Sequence, residues 1–318
     1  MHRNRTKLAA RAHAVGTKLE RGGVVATYEL HDRLGANRAS RRRFASATPP
    51  LDETQRRIVD ALRTEGFAVL PFAELFPDPA VWQRLADDGQ RFVDETVAGL
   101  EAEAAGGESG LRRTSKEFVV RKNAYGDTLA LDDPWVSLAL APRMLDLANT
   151  YLGLWSKLEY VDLWYTKPAD AEAERRASQR WHRDYNDRHL LKAFIYLSDV
   201  DEEAGPFEYV PRSAPGGELG DLWPWRPLGQ NYPPQEELAE RIAGRTVETF
   251  TGPKGTMIFC NTSGFHRGGF ATGKPRALAT FTYSSPASLR SLSDRNFTLA
   301  DANGTLDALP PAARFAVS

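Results

Sequence analysis

Leu158-Glu159-Tyr160-Val161-Asp162-Leu163-Trp164-Tyr165-Thr166 is the stretch at which the pattern of this 318-residue chain turns from helical to extended. It is rich in aromatic and β-branched residues, and five further segments of the same character follow at 190–197, 207–210, 246–251, 256–260 and 277–283. All are short and separated by Gly, Pro, Asp and Asn, the residues that turns require. Such a succession predicts a β-sandwich or barrel. Residues 213–244 interrupt it with Pro215, Gly216, Gly217, Trp223-Pro224-Trp225, Pro227 and Pro233–Pro234, then a short helix from near Pro234 to Gly244. A loop of that length inside a compact domain is usually functional, so it is expected to act as a lid.

Upstream the pattern is helical. Asp52 and Thr54 offer N-cap oxygens to a run with Ile58, Val59, Ala61 and Leu62 at helical spacing, stopped by Gly66. Phe67-Ala68-Val69-Leu70 reads as a strand. A second helix is expected over 79–103, with Val81, Leu85, Phe92 and Val93 on one face and Gly106–Gly107 ending it, and a third over 142–152 before Gly153. Residues 1–50 carry eleven Lys or Arg against three acids, a net of +8, while the whole chain is at −1. This stretch is expected to be a basic, loosely attached, partly flexible extension, solvated or available to an acidic partner. Residues 51–318 are then one domain with its β core at about 155–286.

The near-neutral total gives no reason to expect nucleic acid as a partner. No stretch approaches the length of a membrane span, and the N-terminus lacks the apolar core of a secretory signal. Cys260 is the sole cysteine, which excludes an intrachain disulfide framework and fits a cytoplasmic setting; its apolar neighbours predict a buried thiol rather than a nucleophile.

The chemistry is concentrated in Trp181-His182-Arg183-Asp184. In an extended chain residues i and i+2 share a face, so His182 and Asp184 point together while Arg183 points away. His266 follows the apolar strand that ends at Cys260 and leads into Gly268–Gly269, where it can supply a third ligand. Two imidazoles and one carboxylate match a non-haem iron(II) oxygenase, because three positions stay open for co-substrate and oxygen. A structural zinc would require four protein ligands and favour thiolates. Ten residues beyond His266, Arg276 opens a strand, placed to grip the far carboxylate of a 2-oxoacid bidentately. Alternation puts Leu278 and Thr280 on the face of Arg276. A His-x-Asp pair alone is weak; its combination with His266 and Arg276 carries the reading. His189 is expected to be a loop histidine, and Trp181, Tyr185, Trp223 and Trp225 are core or pocket aromatics.

These residues, with Ala193-Phe194-Ile195-Tyr196-Leu197-Ser198-Asp199-Val200, Glu203-Ala204-Gly205-Pro206, Val210-Pro211-Arg212-Ser213, Gly255-Thr256-Met257-Ile258-Phe259, His266-Arg267-Gly268-Gly269 and Pro275-Arg276-Ala277, resemble the phytanoyl-CoA dioxygenase family. The resemblance covers roughly 155–286, reaches more loosely back to Asp52, and leaves out the basic extension. It implies a double-stranded β-helix, or jelly roll of the cupin kind, with packed N-terminal helices: an α+β chain with a mainly β core. It implies iron(II) at His182, Asp184 and His266 and 2-oxoglutarate at Arg276. With oxygen it implies hydroxylation of a small-molecule substrate with release of succinate and carbon dioxide. The carboxylate of Asp184 argues against the halogenating variant, where a small residue makes room for halide. Leu278 departs from the family, which often has a hydroxyl residue two positions after the Arg. Thr280 and Tyr165 are therefore the candidates for the second contact to the co-substrate carboxylate.

Two rivals stand beside this reading. A cupin-like metal-dependent hydrolase or isomerase would consume no oxygen and release no succinate; a non-catalytic jelly-roll binding protein would show no metal-dependent response to 2-oxoglutarate. Substrate choice is expected to lie in loops 166–180, 213–244 and 284–296, with Arg183, Asn186, Arg188 and Arg267 either reading a polar or anionic substrate or standing in solvent.

Overall fold

Alternation within the longest strands organises the molecule. The computed structural model describes residues 26–112, 116–123, 127–170, 172–223, 225, 231–288, 297–300 and 302–318. The strands are β1 (Phe67–Pro71), β2 (Val119–Arg121), β3 (Asp127–Ala130), β4 (Lys157–Thr166), β5 (Leu190–Tyr196), β6 (Phe207–Tyr209), β7 (Glu248–Phe250), β8 (Thr256–Cys260), β9 (His266–Arg267), β10 (Arg276–Ser284) and β11 (Phe297–Ala300). A six-stranded sheet runs β1-β8-β5-β10-β4-β2, antiparallel throughout, and faces a three-stranded sheet, β7-β6-β9. Single bridges between His182 and His266 and between Val200 and Gly252 extend the smaller sheet. This is the jelly-roll arrangement, left open rather than closed into a barrel. β3 and β11 form a separate parallel pair.

On one face of the large sheet, Leu163, Ala193, Ile195, Met257, Phe259, Ala279 and Phe281 join the core formed with the helices. The helices include α1 (Ala36–Ser46), α2 (Glu53–Thr64), α3 (Phe72–Leu75), α4 (Pro79–Ala104), α5 (Pro134–Ala139), α6 (Pro142–Leu152), α7 (Gln235–Ile242) and α8 (Pro311–Val317); α2 to α6 and α8 supply that core, whereas α7 packs in a separate cluster. α2 starts where its capping chemistry says it should: Asp52 accepts from Gln55 N, and the Gln55 side chain accepts from Asp52 N. α6 ends at Gly153 in the left-handed conformation. The opposite face of the sheet meets the small sheet through Phe194, Tyr196, Ile258, Cys260 and Leu278, packed on Phe207, Tyr209 and Phe250. Cys260 is fully buried there.

Residues 26–46 differ from the loosely attached extension expected over 1–50. Residues 26–33 are helical and continue through a turn into α1, and both pieces pack on the body of the protein. The polar side chains responsible form specific pairs. Tyr28 Oη donates to Asp187 Oδ1 at 2.5 Å, Asn37 Nδ2 donates to Asp32 and Ser285 Oγ, and Asp32 joins Arg41, Arg188 and His189. The few acids in a basic stretch thus turn part of it into a docked element. Residues 1–25 lie outside the described residues. No helix among the described residues is long and apolar enough to cross a membrane.

Candidate metal centre

Residues 181–184 are extended but make only one bridge, not the strand that the sequence suggests. Their backbone alternates between two neighbours. His182 exchanges both bonds with His266 at 3.0 Å and Asp184 N donates to Thr262 O, whereas Arg183 N turns the other way to Asn231 O. This alternation sends His182 and Asp184 to one side, where their donor atoms converge with His266, and Arg183 to the other. Arg183 is wholly buried, donates to the carbonyls of Ser213, Ser263 and Gly220, and lies over the Phe265 ring. It ties the 213–244 insertion down and is sealed from any substrate.

One donor atom from each of His182, Asp184 and His266 lies within 4.8 Å of the others. Both imidazoles are oriented from behind: His182 Nδ1 meets Arg180 O at 2.8 Å and His266 Nδ1 meets Gly264 O at 3.0 Å. A carbonyl only accepts, so each Nδ1 carries the proton and each Nε2 lone pair is left for the centre. Burial drives both rings toward the neutral, ligating form, His266 down to about 4 and His182 well below its ordinary value with His266 adding to the effect. Burial alone would raise Asp184, but the charge of Lys192 outweighs it and holds the carboxyl ionised. Lys192 Nζ lies 2.6 Å from Asp184 Oδ2. The donor set of two neutral imidazoles and one carboxylate on one side therefore fits iron(II) with open positions.

The insertion reaches this centre. Tyr232 stacks on His182 with ring centres 5.0 Å apart, Trp225 Nε1 donates to Asp184 O at 2.7 Å, and Gln235 brackets the backbone of Trp181. Neither Tyr232 nor Gln235 stood out in the sequence, because nothing local marks a residue whose role is set by a loop folding back. Trp181 and Trp223 belong to the apolar cluster under the insertion.

Arg276 opens β10 on the small-sheet side, buried, donating to Gly205 O. Its Nε is buried without a hydrogen-bond partner among the described residues, a donor in need of an acceptor. The carbonyl of Gly205 is available because Gly205 is left-handed, with φ 67°, and Gly269 lies so close that any side chain would strike it. The guanidinium shares its surroundings with Tyr196, whose hydroxyl donates to Phe250 O. Thr280 is on the same face but four residues further, about 13 Å along the strand, beside Phe194 and Asp162. Tyr165 pairs with Ala277 and points into the helix-side core, so parity removes it from the candidates for co-substrate contact. Tyr196 takes its place as the neighbour of Arg276, a residue that period two across β5 and β10 would have found had the pairing been known.

The other polar residues near the motif have structural partners. Asn186 donates to Glu159, Arg188 pairs with Glu29 and Asp32, Arg267 with Glu208, and His189 with Asp32. Of the three loops expected to choose substrate, residues 171, 224, 226–230 and 289–296 lie outside the described residues.

Residues 62–277 match the family described as phytanoyl-CoA dioxygenase (PhyH). The chain belongs to the phytanoyl-CoA dioxygenase family. As such it is an iron(II)- and 2-oxoglutarate-dependent oxygenase acting on a small molecule. It is 27% identical over 184 residues, 49% of this chain and 67% of the relative, to an L-proline trans-4-hydroxylase of Streptomyces griseoviridis. In fold, this member of the phytanoyl-CoA dioxygenase family is similar to EctD from S. alaskensis in its apoform, with a TM-score of 0.52 at 19% identity over 80% of this chain and 89% of that one. It is also similar to the epimerase SnoN in complex with Fe3+, alpha ketoglutarate and nogalamycin RO, with a TM-score of 0.50 at 19% identity over 73% and 84%.

Proposed function

We propose that the chain hydroxylates a small-molecule substrate, with iron(II) held by His182, Asp184 and His266 and with the far carboxylate of 2-oxoglutarate held by Arg276. The observation that carries the reading is the pair of imidazoles whose Nδ1 atoms are tied to carbonyls, so that both Nε2 atoms converge with Asp184 within 4.8 Å. When bound, the metal and co-substrate supply oxygen activation, coupling decarboxylation of 2-oxoglutarate to oxidation of a C–H bond. The residues contribute orientation and exclusion of water. Arg180 O and Gly264 O fix the ligand tautomers, Tyr232 covers His182, Phe207 lies 5.6 Å from the His266 ring, and the buried Arg276 guanidinium waits for an anion at the far end. The proline hydroxylase relative supports hydroxylation of an amino-acid-like molecule. A single buried thiol fits a cytoplasmic location.

The test is anaerobic addition of iron(II) and 2-oxoglutarate, which is expected to give a weak visible charge-transfer band, followed by succinate release under oxygen. His182→Ala should lose both. A wild-type protein that gives neither band nor succinate overturns the reading in favour of a jelly-roll binding protein or a metal enzyme of other chemistry.

A further inference from the structure

The small-sheet face of the large sheet carries Arg121, paired with Asp162; Arg276, which the proposed function uses; and Lys192. Arg276 and Lys192 stand on the same face at different levels. Lys192 pairs across β10 with Thr282, six residues beyond Arg276, about 20 Å along the strand. The row at that level is Cys260, Lys192, Thr282 and Tyr160 across β8, β5, β10 and β4. Arg276 and Lys192 therefore stand at opposite ends of this sheet face, with Asp184 at the Lys192 end.

The lysine has a conflict built into its position. The Asp184 oxygen it meets at 2.6 Å, Oδ2, is also the oxygen that lies 3.9 Å from His266 Nε2. An ammonium and a divalent cation thus compete for one oxygen, and two cations at that separation in a buried site repel strongly. A metal ligated through Oδ2, the Asp184 oxygen that faces His266, takes the place of the ammonium on it. The β5 position of Lys192 keeps the ammonium on this face, with one-fifth of the side chain exposed, so a displaced ammonium calls for a new anion. The neighbouring acids are poor replacements because each is already held: Asp187 by Tyr28, Ser285 N and His189 N, Glu159 by Asn186 and Ser288, and Asp162 by Arg121, Trp164 and Tyr160. The co-substrate's far carboxylate belongs to the Arg276 end.

Building on the proposed oxygenase function, we infer that Lys192 determines substrate specificity: released from Asp184 when the triad is loaded, its ammonium anchors a carboxylate of the prime substrate. The substrate class is a small free acid, of which unmodified amino acids are the nearest instance. The unloaded enzyme is correspondingly closed to that acid, because Asp184 occupies the anchor.

The experiment compares free acids with their carboxamides, beginning with L-proline and L-prolinamide and extending to a panel of other amino acids each with its amide. Each probe is titrated anaerobically into full-length protein loaded with iron(II) and 2-oxoglutarate, with the shift of the visible band as the binding signal and succinate release under oxygen as the second. In the wild type at least one acid should bind about 10-fold or more tightly than its amide. Lys192→Met should weaken that acid by about 10- to 100-fold while leaving the amide unchanged, the loss expected when a charged hydrogen-bond partner is removed. Lys192→Arg should retain part of the preference. Iron(II) affinity of Lys192→Met should equal or exceed that of the wild type, since a competitor for Asp184 has gone. The inference is overturned if acids and amides bind the wild type alike, if no acid binds, if the 2-oxoglutarate half-saturation rises in Lys192→Met, or if its iron affinity falls. The first two outcomes leave the oxygenase function standing as long as the wild-type band forms; absence of that band removes the function itself.

Discussion

The two faces of the six-stranded sheet are built from alternate residues of the same strands, yet they obey different rules. Toward the helices, Leu163, Tyr165, Ala193, Ile195, Phe259, Ala279 and Phe281 present apolar bodies that fill volume. Toward the small sheet, the same strands present Asp162, Lys192, Arg276, Thr280 and Thr282 among the aromatic residues, and these are buried or half-buried as well. One face is held by packing alone; the other combines an apolar cluster with charges that are paired, except Arg276, whose buried Nε has no hydrogen-bond partner among the described residues. Stability and chemistry are thus separable by parity, one residue apart along β5 or β10.

The largest break in that comparison should come from Asp184→Ala. It removes one of three metal ligands and is expected to abolish iron-dependent succinate release and lower bound iron, while the urea midpoint of the metal-free protein moves far less than for a helix-side deletion. Turnover surviving in this variant would end the triad assignment. On the helix side, Phe281→Ala removes a wholly buried ring beside Trp135 and should cost about 3–5 kcal/mol of folding stability by urea titration. At temperatures where the variant stays folded, the iron and 2-oxoglutarate band should form as in the wild type. Loss of the band there would mean that the faces are not independent.

The sequence could show the sheet because β-strands advertise period two: the seven segments from 67–70 to 277–283 lie within two residues of their observed ends, whereas 181–184 makes only a single bridge. His182, Asp184 and His266 were legible for the same reason, with order along the chain doing the rest. Strand pairing was not legible. Without it Tyr165 looked like a neighbour of Arg276, although the register of β4 against β10 sends it to the helices, and Tyr196 passed unnoticed. The strands β2, β9 and β11, of two to four residues, carry too little pattern to read. The docking of residues 26–46 was hidden because net charge describes the average of a segment, whereas Tyr28, Asp32 and Asn37 act through individual long-range bonds.

Arg276→Ala tests the small-sheet face at its other end. The half-saturating 2-oxoglutarate concentration should rise about 10- to 100-fold, the range for deleting a charged donor. The iron affinity measured without co-substrate should stay within a few-fold of the wild type, since Arg276 touches no ligand residue. Equal loss of both would place Arg276 in support of the triad rather than of the co-substrate.

The smallest effect should come from Tyr28→Phe, which asks whether the N-terminal segment belongs to either face. The Tyr28 hydroxyl donates to Asp187 and accepts from Arg188 N at 3.1 Å, three and four residues beyond Asp184, the proposed metal ligand. Its ring lies 5.3 Å from Trp225, which holds Asp184 O. Removing the hydroxyl leaves Asp187 with Ser285 N at 2.7 Å and His189 N at 3.0 Å, so the carboxyl is not abandoned. The loss should be about 1 kcal/mol, local rather than global. Amide exchange across 185–189 and α1 should quicken about five-fold with the urea midpoint nearly unchanged, since local opening reports the free energy of the unit that opens. Iron affinity should move less than three-fold, because the Asp184 backbone is still held by Thr262 O and Trp225. A drop in iron affinity as large as that of Asp184→Ala would show instead that the docked segment is a third wall of the centre, one that alternation within the sheet does not describe.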